Sequence, residues 1–233
     1  MFLKNYKYIF LSFFFFFLSL NAAPHNIPFE IIKANLPQNP IILEAGAQFG
    51  EDTGWMSKLW PTGQIHAFEP SPTSFLQLNK KLKEQKNVFC YNLALSNVEG
   101  QLSFYTAGGA SSLLKPTKSF NDAYFHADLN HPIKVQCTTI NKWAQKHNIK
   151  KIDFLWLDME GNELNALKGA STLLKNIKLI FTEVNFQTFW ENCATYKHLK
   201  RWLALNGFRE LWIDRSAPTW QGNALFINTK LEN

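Results

Sequence analysis

The chain alternates short, almost continuously apolar runs with longer segments in which apolar residues recur every three or four positions. Short apolar runs of this kind predict strands that are buried on both faces of a sheet. The longer segments have the period of amphipathic helices, so the alternation predicts an α/β fold with a mostly parallel sheet. The predicted strands cover residues 40–46, 64–70, 88–95, 152–159 and 179–184, and the predicted helices between them cover 51–60, 71–85 and 162–176.

The end of the chain departs from this alternation. A predicted helix at 196–207 is followed by two strands, 208–214 and 223–229, with no helix between them. Two such strands must pair antiparallel, because a parallel pair needs a long crossover connection. A further segment, 106–132, has no clear periodicity and predicts either a lid over a site or a mobile insert.

The first 23 residues have the pattern of a targeting segment. Lys4 and Lys7 precede an apolar run at 8–20, and the small residues Ala22 and Ala23 follow it. The run is shorter than the roughly 20 residues that a membrane-spanning helix needs, so residues 1–23 predict a cleaved signal peptide. Leu20 fits the cleavage site poorly, which leaves an uncleaved N-terminal anchor as the alternative. Either reading predicts a single exported domain at 24–233, which is periplasmic or secreted after cleavage and otherwise membrane-anchored.

Composition and charge exclude several classes of protein. Of the 233 residues, 46% are apolar and 18% are charged, which is enough to build one sizeable core. The formal net charge of +6 is spread along the chain without a block of lysine or arginine, so no nucleic-acid partner is expected. Cys90, Cys137 and Cys193 are isolated and lack the spacing of zinc ligands, and their disulfide state stays open.

Two strand ends carry residues suited to a nucleotide-like ligand. The first strand runs into Glu44, Gly46 and Gly50, and glycines let the backbone approach a ligand closely ahead of a helix N-terminus. The spacing is not the G-x-G-x-x-G of dinucleotide-binding enzymes, so a nicotinamide-dependent oxidoreductase is disfavoured. Glu69 ends the second strand, where a carboxylate can accept two hydrogen bonds from a ribose diol. Together these positions predict a nucleoside-containing ligand at the carboxyl ends of the strands.

Several longer stretches resemble the FkbM-type family of S-adenosylmethionine-dependent methyltransferases. The D-x-E-G-x-E…L-x-G-A run beside F-E-P is the most specific of them, and the correspondence extends over residues 41–228. The resemblance implies a Rossmann-like class I methyltransferase fold, a three-layer sandwich whose mostly parallel, seven-stranded sheet has an antiparallel last strand. It also implies S-adenosyl-L-methionine as the cofactor. The matching stretches are EAGAQFGED, AFEPSPTSFLQL, NLALSNVEGQLSFY, ASSL, IDFLWLDMEGNELNALKGA, IFTEVNF, and LNGFRELW followed by NALFIN.

The same resemblance implies which residues meet the cofactor. Family members commonly carry Asp and Asn where this chain has Glu44 and Gln48, so the contact of Gln48 is open. Ser111 and Ser112 match a small-residue segment of the family, and they either touch the cofactor or acceptor or form a loop turn. The residues implied to bind the cofactor are Glu44, Gly46, Gly50 and Glu69 at its methionine and ribose ends, and Leu93 and Ala94, with Ser96 as a further candidate, at its adenine end.

Acidic residues follow the fourth and fifth predicted strands. Asp158 and Glu160 share one face by the strand period of two, and Glu183 ends the next strand. Methyl transfer from a sulfonium is an in-line displacement in which a nearby base assists a hydroxyl acceptor, so these three acids are the catalytic candidates. Glu163 lies in the first turn of the next helix, where it either binds the acceptor or serves the helix start. The residue types permit magnesium, but spacing alone does not establish it and no metal is assigned.

The histidines add little to these assignments. His66 alternates within a core strand and is expected to be packed, whereas His126 and His131 lie in the insert and could face an acceptor.

The resemblance predicts O-methylation of a sugar or another small hydroxylated acceptor. The alternative is an exported methyltransferase-like binding protein that has lost turnover, because the methyl donor is made in the cytoplasm. Membrane contact is expected only through the N-terminal segment, and the oligomeric state stays open.

Overall fold

The computed structural model describes residues 27–123, 129–214 and 220–232. Ten strands and seven helices alternate along these ranges. The strands are β1 (Ile41–Ala45), β2 (Gln64–Phe68), β3 (Val88–Tyr91), β4 (Ala94–Leu95), β5 (Gly100–Phe104), β6 (Ile133–Thr138), β7 (Ile152–Leu157), β8 (Ile177–Asn185), β9 (Phe208–Ile213) and β10 (Gln221–Asn228). The helices are α1 (Phe29–Asn35), α2 (Glu51–Leu59), α3 (Pro72–Leu82), α4 (Lys118–Ala123), α5 (Ile140–Lys146), α6 (Glu163–Ala170) and α7 (Tyr196–Leu205), and short 3₁₀ turns cover Gly108–Ala110 and Ser171–Asn176.

Seven strands form the central sheet in the order β3-β2-β1-β7-β8-β10-β9. The five strands from β3 to β8 run parallel, and β10 pairs antiparallel with both β8 and β9. This confirms the predicted α/β fold with its antiparallel last strand. The chain builds outward from β1 to β3 and then returns to add β7 on the other side of β1. Ligands bind at such a reversal, beyond the carboxyl ends of the strands, so β1 and β7 flank the expected site.

The strands of the central sheet are buried from both sides. Along β7, Phe154 and Trp156 pack into the core on one face, and Leu155 and Leu157 into the core on the other. Helices α1, α2 and α3 cover the first face, and α5, α6 and α7 cover the second. Every residue of β7 is therefore buried, which explains why its sequence is apolar without alternation apart from Asp153, which pairs with Lys151 and the N–H of Ile41.

A second, smaller sheet was not predicted. It has the order β4-β6-β5, with β4 parallel and β5 antiparallel to β6. The predicted strand at 88–95 is in fact two strands, because the chain turns at Asn92, whose side-chain amide donates to the carbonyls of Glu69 and Pro70. The predicted insert at 106–132 contains one 3₁₀ turn and α4, while residues 124–128 lie outside the described residues.

Two expectations concern export. The predicted leader, residues 1–23, lies outside the described residues. In the three described ranges, no helix has the length and apolar character needed to cross a membrane.

Cys90, Cys137 and Cys193 are free thiols, and the latter two are buried, as expected for small apolar side chains of the core.

Candidate functional site

A cleft of about 580 Å³ opens at the carboxyl ends of β1, β2 and β7. Its wall combines apolar side chains with a few polar groups, as small-molecule sites do. We call it the donor cleft. Residues on its wall include Gly46, Gln48, Phe68, Glu69, Leu93, Ala94, Ser111, Leu113, Asp158, Met159 and Asn162.

The two glycines of the turn after β1 have different purposes. Gly46 has a φ of 92°, and a Cβ added to it would lie 1.7 Å from the carbonyl oxygen of Asp158. Only glycine therefore lets this turn pass against the end of β7, at the edge of the donor cleft. Gly50, with a φ of 79°, precedes α2, and its added Cβ would meet Leu78 and Leu82 of α3 at 2.6 and 2.9 Å. Gly50 is thus required by helix packing, and it lies behind the cleft wall.

Glu69 lies on the wall of the donor cleft and is 5% exposed. One carboxylate oxygen accepts a hydrogen bond from the backbone N–H of Gln48 at 2.9 Å, and the other from that of Ser71 at 2.8 Å. Burial raises the pKa of Glu69 to about 7, although these two hydrogen bonds oppose the shift. Each oxygen keeps a further acceptor position, as a ribose diol requires. The residues present therefore fit a nucleoside-containing cofactor.

Glu44 does not lie on the cleft wall. Its carboxylate is 2% exposed and accepts a hydrogen bond from the hydroxyl of Thr53 in α2. Burial raises the pKa of Glu44 to about 8, while the Thr53 hydrogen bond lowers it. The resemblance implied a cofactor contact for Glu44, but the structure puts its carboxylate beneath the turn, tying β1 to α2.

One side of the donor cleft is apolar. Leu93 and Ala94, which the resemblance places at the adenine, lie on this wall, and Leu113 lines it as well. The carbonyl of Leu95, in the same segment, accepts a hydrogen bond from the side-chain amide of Asn162 at 2.9 Å. This bond ties the apolar side of the cleft to the loop after β7.

Asp158, Glu160 and Glu183 come together at the carboxyl ends of β7 and β8, and we call them the acidic cluster. One carboxylate oxygen from each lies within 4.8 Å of the others. The parallel register, which pairs Leu157 with Thr182, brings Asp158 beside Glu183. Asp158 also lines the donor cleft, so the acidic cluster adjoins it. The three acids predicted to be catalytic are thus neighbours in space.

The acidic cluster holds its protons unusually tightly. Burial, with the charge of Asp158 as a second cause, raises the pKa of Glu160 to about 8. Burial also holds the pKa of Glu183 well above its usual range, and Asp158 and Glu160 add to this effect. Acids with a pKa near neutrality can take up and release a proton during a reaction. The arrangement can therefore serve as a general base.

The loop that carries Glu160 is fixed by groups which do not reach the cleft wall. Glu160 has a positive φ of 52°, which is strained for a residue other than glycine. One carboxylate oxygen of Glu163 accepts from the backbone N–H groups of Met159 at 2.9 Å and Gly161 at 3.1 Å. The hydroxyl of Ser112 donates to the Glu160 carbonyl at 2.8 Å. Glu163 and Ser112, two candidates for acceptor binding, therefore support this loop.

Ser111 occupies the rim of the donor cleft. Its hydroxyl donates to the carbonyl of Gly108 at 2.7 Å and accepts from the N–H of Ala107 at 2.8 Å. These bonds close a local turn, which was one of its two predicted uses, and its position on the wall also leaves it next to a ligand.

The histidines are separate from this site where they are described. His66 stacks on Phe89 and packs edge-on against Trp143, and burial lowers its pKa to about 4, as expected for a packed residue. His131 is exposed, and His126 lies outside the described residues.

The sequence did not predict the polar partner of Glu160 in the acidic cluster. The amide of Gln221 in β10 donates to Glu160 at 3.2 Å, and no local pattern could have indicated a partner 61 positions away.

An aromatic wall stands beside the acidic cluster. Trp190 is 1% exposed, and its ring lies 4.1 Å from that of Phe120 in α4. A Cβ on Gly161 would meet the Cβ of Cys193 at 2.9 Å and the ring of Trp190 at 3.2 Å, so this wall packs directly on the loop that carries Glu160. The second half of the predicted insert thereby reaches the acidic cluster.

Comparison with known proteins gives relatives of one kind. The chain is 24% identical over 170 residues to the 2-O-methyltransferase NoeI of Sinorhizobium fredii, covering 70% of each protein. It is 30% identical over 167 residues to the methyltransferase sdnD of Sordaria araneosa, covering 59% of this chain and 62% of that relative. Both relatives therefore extend beyond the matched region.

Solved structures share the fold at low identity. The methyltransferase FkbM of Methylobacillus flagellatus matches 82% of this chain with a TM-score of 0.55 and 13% identity, and the match spans 44% of that longer chain. Magnesium protoporphyrin IX methyltransferase of Synechocystis, solved with bound S-adenosylmethionine, matches 86% of this chain with a TM-score of 0.51 and 11% identity. A family model, the methyltransferase FkbM domain, matches residues 44–210, well over half of the 233 residues. The chain therefore belongs to the FkbM family of S-adenosylmethionine-dependent methyltransferases.

Proposed function

We propose that the protein transfers the methyl group of S-adenosylmethionine to a hydroxyl oxygen of a sugar or another small hydroxylated acceptor. The observation that carries this proposal is the position of Asp158, which belongs both to the donor cleft and to the acidic cluster. An acceptor bound by the acidic cluster would meet the cofactor at this boundary.

The chemistry divides between the cofactor and the chain. When bound, S-adenosylmethionine supplies an electrophilic methyl group on a sulfonium, and the remaining requirement is in-line alignment of the acceptor. Glu69 orients the ribose, and the apolar wall at Leu93 and Leu113 excludes water from the adenine. Glu160 and Glu183 bind acceptor hydroxyls, and one of them in its ionised form takes the proton that the reacting hydroxyl releases.

Two features support a hydroxylated acceptor. Carboxylates and amides, here from the acidic cluster and Gln221, are natural partners for several hydroxyl groups at once. The relative NoeI is named as a 2-O-methyltransferase.

Two measurements test the proposal. Calorimetry with S-adenosylhomocysteine is expected to give one binding site per chain. Methyl-labelled S-adenosylmethionine is then incubated with a panel of sugars and with matched amino sugars, and label is expected in the hydroxylated compounds through an alkali-stable ether. Label that appears only in the amino sugars would contradict oxygen as the acceptor atom, and failure to bind the cofactor product would contradict the whole proposal.

We also propose that residues 1–23 export the domain. The lysines, the acid-free apolar run and the small residues after it support this, as does the length of the run. A reporter fused to the carboxyl end would show which side of the membrane the domain occupies, and mass spectrometry of the mature protein would show whether the leader is removed. An exported protein that binds S-adenosylhomocysteine but methylates no panel member would instead support a binding protein without turnover.

A further inference from the structure

Within the acidic cluster, Glu183 has no described group beside it that balances its charge. Three carboxylates lie with oxygens within 4.8 Å of one another at a partly buried position. Among the described residues, no lysine or arginine forms an ion pair with Glu160 or Glu183. Oε2 of Glu183 is without accessible surface and has no hydrogen-bond partner there either. A carboxylate in this situation is costly unless a cation or a proton joins it.

Asn185 provides a second and independent indication of a ligand. It is 1% exposed, and its side-chain oxygen has no hydrogen-bond partner among the described residues. It follows Glu183 by two positions in β8, so both side chains lie on one face of the sheet. Its cross-strand partner is Gln221, whose amide reaches Glu160. A buried side-chain oxygen without a donor therefore lies on the sheet face of Glu183, opposite the residue that bonds to Glu160.

From this arrangement, we propose that the acidic cluster and Asn185 bind one hard divalent cation of the Mg²⁺ or Mn²⁺ type. Carboxylate and amide oxygens are the ligands that such cations prefer, and the absence of sulfur and imidazole from the set disfavours zinc. The sequence reading assigned no metal, because spacing along the chain did not bring Glu183 and Asn185 to Asp158 and Glu160. The register of β7, β8 and β10 does so.

The oxygen separations suit a cation of this size. Three oxygens at the corners of a triangle with 4.8 Å sides lie about 2.8 Å from its centre, whereas Mg²⁺ binds oxygen at about 2.0–2.1 Å. Less than about 1 Å of inward movement by each carboxylate therefore brings the three oxygens to bonding distance. Rotation of the Glu160 and Glu183 side chains supplies such a movement without changing the backbone.

The cation would leave coordination positions for water or for acceptor oxygens, since Mg²⁺ sites in proteins use few protein ligands. Cation binding itself does not depend on the proposed reaction, whereas a contribution to acceptor binding rests on the proposed function. The two can be tested apart, because the cation can be titrated with neither donor nor acceptor in solution.

The test is a titration of the full chain with Mn²⁺. Protein treated with EDTA and dialysed is titrated while free Mn²⁺ is followed by electron paramagnetic resonance. We expect one bound Mn²⁺ per chain with a dissociation constant of about 1 mM or tighter. Glu183→Gln removes a ligand charge at nearly constant shape, so binding should weaken about tenfold or more. Glu191→Gln is the matched control, because this acid is nearby in sequence, has a half-exposed side chain and pairs with Lys115.

A second variant keeps the proposal testable if Glu183→Gln does not fold. Asn185→Asp adds a charge to the site, and it should tighten Mn²⁺ binding severalfold. The far-ultraviolet circular dichroism and the affinity for S-adenosylhomocysteine report whether each variant is folded. No binding by the wild-type protein at millimolar Mn²⁺, or equal binding by the wild-type protein and folded Glu183→Gln, would overturn the site. Mn²⁺ binding without any methyl transfer would leave the cation site standing and count against the proposed function alone.

Discussion

The donor cleft and the acidic cluster both contain buried carboxyl groups, but the hydrogen-bond partners of these groups differ. Near the donor cleft, Glu69 accepts hydrogen bonds from two backbone N–H groups, and Glu44 accepts one from Thr53. In the acidic cluster, Glu183 has an oxygen with no described partner, and the nearest groups to each carboxylate include other carboxylates. The acids near the donor cleft have hydrogen-bond partners within the chain, whereas the free oxygen of Glu183 is left for a bound ligand to partner.

This difference shows how one sheet edge can serve two tasks. Fully hydrogen-bonded acids hold a shape, because moving them would leave a buried polar group unpaired. Acids that repel one another do not fix the conformation of their side chains, but they attract a proton, a cation or a polyhydroxylated ligand. The rigid supports of the acidic cluster are therefore supplied by Glu163 and Ser112, which bond to the backbone of the loop.

The largest effect is expected from Gly46→Ala, which acts where the two regions touch. The added Cβ would overlap the carbonyl oxygen of Asp158, so the turn after β1 must move away from β7. We expect a loss of about 3 kcal/mol or more in the free energy of unfolding, together with loss of cofactor-product binding. Urea unfolding and calorimetry measure both quantities. Gly54→Ala is the control, because its Cβ would meet only the flexible end of Leu82 at 3.3 Å; similar losses in both variants would contradict the explanation.

Glu69→Ala should separate the two regions. It removes the acceptor for the ribose diol, so the affinity for S-adenosylhomocysteine should fall about 100-fold, corresponding to two charge-assisted hydrogen bonds. Mn²⁺ binding at the acidic cluster should change less than about twofold. Calorimetry and the Mn²⁺ titration give the two values, with exposed Glu99→Ala as the control. Unchanged affinity for the cofactor product would show that Glu69 does not contact it.

Glu183→Gln is the converse change. The turnover number for methyl transfer should fall about tenfold or more, because a general base contributes at least that factor. The affinity for S-adenosylhomocysteine should stay within about twofold, since Glu183 is not on the wall of the donor cleft. Steady-state kinetics and calorimetry measure these quantities. A fall in cofactor affinity that matched the fall in turnover would remove the distinction between the two regions.

The last prediction concerns pH and the acid beneath the donor cleft. The pKa of Glu44 is about 8 in the folded chain and 4.5 when unperturbed, so between these values the folded state holds a proton that the unfolded state releases. Stability from this group is complete below pH 4.5 and declines as pH rises towards 8, by about 1.4 kcal/mol per pH unit at most. Glu44→Gln cannot titrate there, so its unfolding free energy should decline less steeply.

Urea unfolding at pH 5, 6, 7 and 8 checks this prediction. Other buried acids with raised pKa values, including Glu69, titrate in both proteins, so the wild-type and Glu44→Gln curves should differ only in slope. Glu191→Gln, with its half-exposed side chain, should follow the wild-type curve. Parallel curves for wild type and Glu44→Gln would mean that burial does not raise the pKa of Glu44 in this way.

Much of the fold could be predicted, because the central strands are buried on both faces and so have apolar sequences. The smaller sheet was missed for the opposite reason. Most residues of β5 are at least partly exposed, and β6 is buried only at alternate positions, so neither reads as a continuous apolar run. The same rule explains why Asp158 and Glu160 were found. They end a strand whose preceding residues are all buried, so two acids there stand out.

The hydrogen-bond partners of the side chains in the site could not be predicted from the sequence. Glu44 was expected to meet the cofactor, and Glu163 either the acceptor or the helix start. In the structure, Glu44 accepts from Thr53, and Glu163 accepts from N–H groups of its own loop. A residue's type and position do not say which of several nearby donors its side chain will choose. The unpaired side-chain oxygen of Asn185 became evident only once β10 had been placed beside β8.

The sequence by itself determined the family, the order of the central-sheet strands and of the four longest helices, and the sheet edge at which acids and glycines collect. These properties follow from local apolar patterns and from motifs that are contiguous along the chain. Only the tertiary structure decided which acids are hydrogen-bonded and which face one another. That decision depends on cross-strand register and on loop closure, which bring together groups as distant as Glu160 and Gln221, and no local pattern contains this information.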